Sequence, residues 1–281
     1  MTNDFENVID GIENAAAQNI RVNDGDYPKD GLWYCGKCNT PKQCRVEIFG
    51  RIRTPMCLCK CEAERRQEEE AQRKRIEQAR KINDLRRIGF PDEQMQAWNF
   101  SSDDGANMRV TDAMKRYCEH FDQLRKQGRG LLLYGDVGTG KTFAACEVAN
   151  ELIDQGFPCM VTNFARLTNT LQGKFDGKQE FIDRLNEFEL LVIDDLGAER
   201  KSEYMQEMVY NIIDSRYRAG LPFIITTNLT IEEIKSPQDI GNRRIYDRIL
   251  ERCFPVEVSG KSRRRKAVRE GYDEMKNMLG L

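Results

Sequence analysis

Residues Gly135–Thr142 read GDVGTGKT. Glycines at 135, 138 and 140 let the chain turn its backbone N–H groups inward around an anion. Lys141 adds a point charge for β- and γ-phosphates, and the Thr142 hydroxyl is a ligand suited to Mg²⁺. Gly135, Asp136, Val137, Gly138, Thr139, Gly140, Lys141 and Thr142 are therefore assigned to binding a nucleotide such as ATP. A cradle of this kind needs a strand before it and a helix after it. GLLLY precedes it and KTFAACEVANELI follows it, so the helix N-terminus adds its positive end to the phosphate site.

Three later stretches carry compatible chemistry. LLVIDD ends in Asp194 and Asp195. Asp194 is the expected Mg²⁺ partner beside Thr142, and Asp195 is placed to orient or deprotonate an attacking water. Glu199 is held in reserve, because Asp195 is shorter than the glutamate common at that place. FIITTN places the amide of Asn228 at a strand exit, where it can lie between a γ-phosphate and the water. Thr226-Thr227-Asn228 also suits any strand-to-loop exit. Arg244, Arg248 and Arg252 fall at i, i+4 and i+8 of one helix face, with Arg243 alongside. They either reach a γ-phosphoryl group in a neighbouring subunit or pair with Asp247 and Glu251 on an ordinary surface helix.

A different chemistry sits near the start of the chain. Cys35-Gly36-Lys37-Cys38 is a C-x₂-C knuckle, and Cys57, Cys59 and Cys61 follow closely, with Cys44 between. Cys35, Cys38, Cys59 and Cys61 are the expected ligands of a structural Zn²⁺. Cys44 and Cys57 are extras, either of which can replace a member of the set. Disulfides and a redox role are the competing readings. Cys146 and Cys159 lie in apolar surroundings and read as core residues. His120, the chain's one histidine, lies far from the cluster and reads as no ligand.

Positioning these groups requires a sheet. Gly130–Tyr134, Cys159–Thr162, Leu190–Ile193, Phe223–Thr227 and Phe254–Val258 read as strands. Helical stretches at 141–155, 163–172, 178–187, 202–219 and 242–252 separate them. Alternation of strand and helix predicts βαβ units and a parallel sheet covered on both faces. Three regions result: residues 1–61 with the cysteines, a connector at 62–88, and residues 89–281 with the α/β pattern. The connector lacks Gly and Pro, and Glu62–Arg66, Glu69–Arg73, Glu70–Lys74 and Glu77–Lys81 are i,i+4 pairs. Its sparse apolar residues, Ile76, Ala79, Ile82 and Leu85, are confined to the C-terminal half, which predicts a solvated helix that docks only at its far end. Its arginines can also track DNA, although the interleaved glutamates favour a spacer.

Composition bounds the rest. The 281 residues carry a net charge of −2, with 32% charged and 40% hydrophobic residues. No apolar run approaches the ~20 residues of a membrane span, and the first twenty residues lack the layout of a signal peptide. A cytoplasmic chain with no membrane association is expected. The run KSRRRK at 261–266 is either a phosphate-binding tail or a solvated one.

In combination, GDVGTGKT, LLVIDDLGAE, FIITTN and RIYDRILERCFPVEV resemble the AAA+ ATPases of the bacterial helicase-loader group, DnaC and DnaI, and the related IstB-type transposition helpers. The resemblance spans about residues 90–265. It implies a P-loop AAA+ core with a five-stranded parallel sheet, and Mg²⁺-dependent ATP hydrolysis. It further implies a homo-oligomer joined through the ATP site, which loads a hexameric replicative helicase of the DnaB type onto single-stranded DNA. On this resemblance Lys141, Asp194, Asp195, Asn228 and Arg252 are catalytic, with Asn228 the first sensor and Arg252 the trans-acting finger. Arg248 is its nucleotide-facing neighbour, and Arg263 or Arg264 a second sensor. The short stretch after FPVEV implies no helical lid domain. Helicase-loader modules of phage origin resemble the cysteine segment, which implies a zinc module that grips a partner, helicase or DNA. DNA-contacting residues are expected among Phe164, Arg166, Lys174, Phe175 and Lys178, as aromatic and basic groups interleaved. Two alternatives stand beside the loader: a transposition helper, and a zinc-containing adaptor switched by ATP with little turnover.

Overall fold

A cysteine-rich segment with few large apolar residues cannot bury much core, and short hairpins crosslinked at one point are the usual solution. The computed structural model describes residues 22–48, 50–172, 177–197, 203–263, 272 and 275–280, and the chain divides into two compact units, Met1–Ala79 and Arg80–Leu281. In the first unit, β1 (Tyr27–Lys29) pairs antiparallel with β2 (Leu32–Tyr34), and β3 (Val46–Ile48) with β4 (Arg51–Arg53). Tyr27 and Tyr34 stack across the first hairpin. The buried carboxylate of Asp26 accepts from Lys42 at 2.6 Å and from the Gly36 N–H at 3.1 Å, which anchors the C-x₂-C turn. Gly36 is required there, since a Cβ would lie 2.1 Å from the Gly25 carbonyl oxygen.

Helix α1 (Lys60–Gly89) follows. It contains the whole expected connector and begins two residues earlier, at the last cysteines. Glu62–Arg66 and Glu70–Lys74 pair as expected, at 3.6 and 2.6 Å, and Arg65 adds pairs to Glu62 and Glu69. Ile76 is exposed, while Ile82 and Leu85 pack against the core of the second unit.

The second unit contains α2 (Glu93–Gln96), α3 (Met108–Glu119), α4 (Phe121–Lys126), β5 (Gly130–Tyr134), α5 (Lys141–Asp154), β6 (Cys159–Asn163), α6 (Phe164–Gln172), α7 (Lys178–Leu185), β7 (Leu190–Leu196), α8 (Glu203–Arg218), β8 (Phe223–Thr227), α9 (Ile231–Lys235), α10 (Ile240–Arg252) and β9 (Cys253–Glu257). The five strands form one parallel sheet in the order β6-β7-β8-β5-β9. Successive residues of β5, β7 and β8 enter opposite cores. Leu131, Leu133, Leu190, Val192 and Ile224 pack with α3 and α5. Leu132, Leu191, Ile193, Phe223 and Ile225 pack with α6, α7, α8 and α10. Burial on both sides is why these strands show no polar alternation in sequence. Cys146 and Cys159 are core residues, as expected. Helix α3 and the short helices α2, α4 and α9 add to the expected set. Among the described residues, no helix is long and apolar enough to cross a membrane.

Candidate functional site

The C-terminal ends of parallel strands are where backbone turns leave room for a ligand. Here β5 ends in the GDVGTGKT loop, β7 carries Asp194 and Asp195 just before its last residue, Leu196, and β8 runs directly into Asn228. The loop crosses Gly138 at φ +84°, and a Cβ there would lie 2.3 Å from the Ser262 hydroxyl. Only glycine satisfies both demands. Helix α5 then starts at Lys141 and aims its free N–H groups back at the loop.

Residues far apart in sequence converge on this turn. Lys141 Nζ donates to Asn228 Oδ1 at 2.8 Å and to the carbonyls of Gly135 and Asp136 at 2.9 and 2.7 Å. The Thr142 hydroxyl donates to Asp194 Oδ1 at 2.8 Å. Asp195 enters the same cleft, at φ +58°, the left-handed region that non-glycine residues rarely adopt. The cleft measures about 520 Å³ and is lined by Val137–Gly138, Gly140–Phe143, Asp195 and Asn228, with Gln94, Trp98 and Arg263 completing the wall. Burial pushes the Asp194 carboxyl above its ordinary value, against hydrogen bonds from Thr226 and Thr142 that lower it. A half-buried carboxylate beside two hydroxyls is a natural seat for a divalent cation, and Thr142 and Asp194 fit Mg²⁺.

The wall shows what motif reading misses. Trp98 and Phe143 face each other at 5.8 Å, and Gln94 lies one helical turn before Trp98. The i,i+4 spacing in DEQMQAW was the available signal. Arg263, expected only loosely, lies over the loop: its N–H donates to the Gly138 carbonyl at 2.9 Å, and its guanidinium sits 3.1 Å from Asp104 and 3.4 Å from Asp103. Arg264 and Glu199 lie outside the described residues.

The arginines of α10 stand elsewhere. Cys253 pairs with Gly130, at the start of β5, so Arg252 is at the opposite end of the sheet from its own phosphate loop. Its guanidinium stacks 4.7 Å from the Tyr217 ring centre and donates to the Tyr217 and Gln127 carbonyls, both at 3.4 Å. Arg248 donates to Asp214 at 2.7 Å and to the Tyr210 hydroxyl at 2.8 Å. Neither residue lines the cleft of its own chain. Of the expected DNA-contacting residues, Phe164 is 1% exposed and packs with Leu167 and Leu171. It therefore has no ring face for a base, because its position on α6 points inward. Arg166 is exposed, Lys178 lies against Tyr204, and Lys174 and Phe175 lie outside the described residues.

In the first unit, the Sγ atoms of Cys35, Cys38, Cys59 and Cys61 all lie within 4.8 Å of one another. Cys61 is 3.6 Å from Cys35 and 3.5 Å from Cys59. Zinc bonded to four thiolates at about 2.3 Å sets its sulfurs about 3.8 Å apart, so the four residues fit that ion. Backbone N–H groups of Cys38 and Lys37 lower the Cys35 thiol. The Thr40 hydroxyl and the Cys61 backbone bring Cys38 down to about 5. These two are inclined to the thiolates a metal requires, whereas burial raises Cys59 and the surrounding cysteines, Cys59 first, push Cys61 up to about 12. Cys44 and Cys57 stand apart from this set. His120 bonds the Arg116 carbonyl.

A five-stranded parallel sheet with a phosphate loop after β5, an asparagine at the end of the adjacent β8 and an acidic pair on β7 beyond it defines a P-loop ATP-binding protein of the AAA+ fold. More particularly, residues 64–271 match the family model of the IstB-like ATP binding proteins, and the chain belongs to that family. The replicative helicase loader DnaI of Bacillus subtilis (strain 168) is 27% identical over 167 residues, 55% of this chain and 52% of that protein. The phage-like element PBSX protein XkdC of the same organism is 26% identical over 201 residues, 68% of this chain and 70% of that one. The matched part thus spans about half of the loader's length. The crystal structure of DnaI superposes with a TM-score of 0.53 at 22% identity, covering 64% of this chain and 98% of that one.

Proposed function

We propose that this chain is a Mg²⁺-dependent ATPase that loads a hexameric, DnaB-type replicative helicase onto single-stranded DNA, acting as a homo-oligomer. One observation carries the reading. Lys141, Thr142, Asp195 and Asn228 line one cleft, with Asp194 hydrogen-bonded to Thr142, in a chain whose family match spans residues 64–271 and which is 27% identical to a replicative helicase loader over 167 residues.

Each residue has a task there. Lys141 exchanges its carbonyl and amide partners for β- and γ-phosphate oxygens. Thr142 and Asp194 hold Mg²⁺, which when bound neutralises charge on the phosphates. Asp195 orients the attacking water and accepts its proton. Asn228, freed from Lys141, hydrogen-bonds the γ-phosphate and the water. Arg252 and Arg248 supply positive charge to the site of a neighbouring subunit, since they lie away from their own. The aromatic pair Trp98–Phe143 forms the apolar part of the nucleotide cleft.

In this reading residues 89–281 are the ATPase domain and 62–88 a charged helical connector. Residues 1–61 are a module that Zn²⁺ folds through Cys35, Cys38, Cys59 and Cys61, and that grips the helicase. Charge on Arg166 and Lys178 serves single-stranded DNA. Cytoplasmic placement accompanies a partner that works on the chromosome.

The test is co-purification of the full chain with a DnaB-type hexamer, with and without ATP, followed by ATPase assay with single-stranded DNA. An ATP-dependent complex is expected, and Lys141→Ala should abolish it. Absence of an ATP-dependent complex with any hexameric helicase, together with nucleotide-dependent capture of a transposase, would replace the loader with the transposition helper.

A further inference from the structure

The acidic pair is divided between two tasks by a third residue. β7 and β8 run in register through Ile193 and Ile225 and resume at Leu196 and Thr227. Two residues of β7, Asp194 and Asp195, therefore stand opposite one residue of β8, Thr226. This is a β-bulge, a device that re-aims side chains near functional sites. The hydroxyl of Thr226 fills the gap. It accepts the Asp195 N–H at 3.0 Å and donates to Asp194 Oδ1 at 2.5 Å. Thr226 is fully buried, so no water replaces either bond.

Both bonds have consequences in the cleft. Asp194 Oδ1 receives two hydroxyls, from Thr226 and from Thr142, which fixes the carboxylate against the residue expected to share Mg²⁺ with it. Asp195 is in the left-handed region, a conformation that persists only where its surroundings hold it. The Thr226 oxygen pairs the Asp195 N–H in that conformation and so turns its side chain into the cleft. The next residue repeats the pattern outside the site, since the Thr227 hydroxyl donates to the Leu196 carbonyl at 2.7 Å and closes the bulge.

We propose that the Thr226 hydroxyl is the positioning group of the acidic pair, directing Asp194 to the metal and Asp195 to the water. This rests on the ATPase reading above. Thr226 is buried, does not line the cleft, and acts only through the two aspartates.

The experiment compares Thr226→Val, which keeps the branched shape and removes the hydroxyl, with Thr226→Ser, which keeps the hydroxyl. Both are made in the full-length, zinc-loaded chain. Three quantities are read: kcat and KM for ATP, affinity for a fluorescent ADP without metal, and Mn²⁺ affinity of the ADP complex by EPR. Outer partners of metal-bound carboxylates cost about 10–100-fold when removed. Thr226→Val should lose about that factor in kcat and in Mn²⁺ affinity, with metal-free ADP binding within about threefold because the phosphate loop is untouched. Thr226→Ser should recover most of both. Wild-type kcat and Mn²⁺ affinity in Thr226→Val overturn the proposal. So does a folded Thr226→Ser as impaired as Thr226→Val, since packing of the methyl group would then be the cause. Should Thr226→Val fail to fold, Thr226→Ala takes its place against Thr226→Ser, and equal values in the two overturn the hydroxyl's role. A wild-type chain that hydrolyses no ATP while Thr226→Val still loses Mn²⁺ affinity sinks the hydrolytic reading and keeps the positioning role.

Discussion

Glu147 lies on α5, 2% exposed, and its Oε1 has no hydrogen-bond partner among the described residues. Burial, and then the nearby Asp103 carboxylate, push its pKa from 4.5 to about 8, against the charges of Arg263 and Lys115. The native chain therefore keeps this proton between pH 4.5 and 8, where an unfolded chain has released it. Native protein binding the extra proton means stability falls as pH rises through that window. The difference spans between three and four decades in proton affinity at about 1.4 kcal/mol each, an upper bound of about 5 kcal/mol. Relaxation and water entry reduce this, so a loss of about 1–3 kcal/mol between pH 5 and 8 is expected. Asp26 and Asp103 are held below their ordinary values by Lys42 and by Thr111 and Arg263. Their contributions are lost only as pH falls below about 4, outside the window. The assay is urea unfolding at pH 5, 6.5 and 8, with Trp33→Phe so that Trp98 reports the second unit. Glu147→Gln should flatten the profile and make the variant more stable than its parent at pH 8. An unchanged slope in Glu147→Gln would refute the reasoning, because Glu147 would then be ionised or solvated in the folded chain.

Further outcomes follow from the other clusters. Elemental analysis should find one zinc per chain, retained in Cys44→Ser and Cys57→Ser and lost in Cys59→Ser, with the Trp33 environment disrupted in the last. Zinc retained in Cys59→Ser would reassign the ligand set. Arg252→Ala and Lys141→Ala subunits, each inactive alone, should regain ATPase activity on mixing if Arg252 serves a neighbour's site. A mixture as inactive as its parents, with thermal melting of Arg252→Ala unchanged, would confine Arg252 to its packing on Tyr217.

Much of this molecule was legible as spacing. The phosphate loop depends on consecutive residues, so GDVGTGKT carries its own geometry once a strand and helix flank it. The apolar runs of β5, β7 and β8 were visible for the same reason, as each is continuous in sequence, and their lack of alternation already implied cover on both faces. The i,i+4 pairs of α1 and the four zinc-compatible cysteines are likewise local or nearly local patterns. Short helices such as α2 and α9 were not, because a single turn carries no period to detect.

What depended on distance in sequence was decided only by the fold. Residue types alone left Arg252 either a finger or a surface group. The pairing of Cys253 with Gly130 places it away from its own nucleotide. Phe164 was suited to stack on a base until α6 turned it into the core. Arg216, 1% exposed, reads as an ordinary basic residue on a helix, yet it donates to the carbonyls of Leu185, Glu189 and Pro222. The sequence by itself determined that a phosphate loop and an acidic pair exist. That one Thr226 hydroxyl bonds both Asp194 and Asp195 is a property of the bulge, where a side chain from another strand answers two residues at once. A hydrogen bond between strands that lie 31 and 32 residues apart has no local signature, and only tertiary packing brings its ends together.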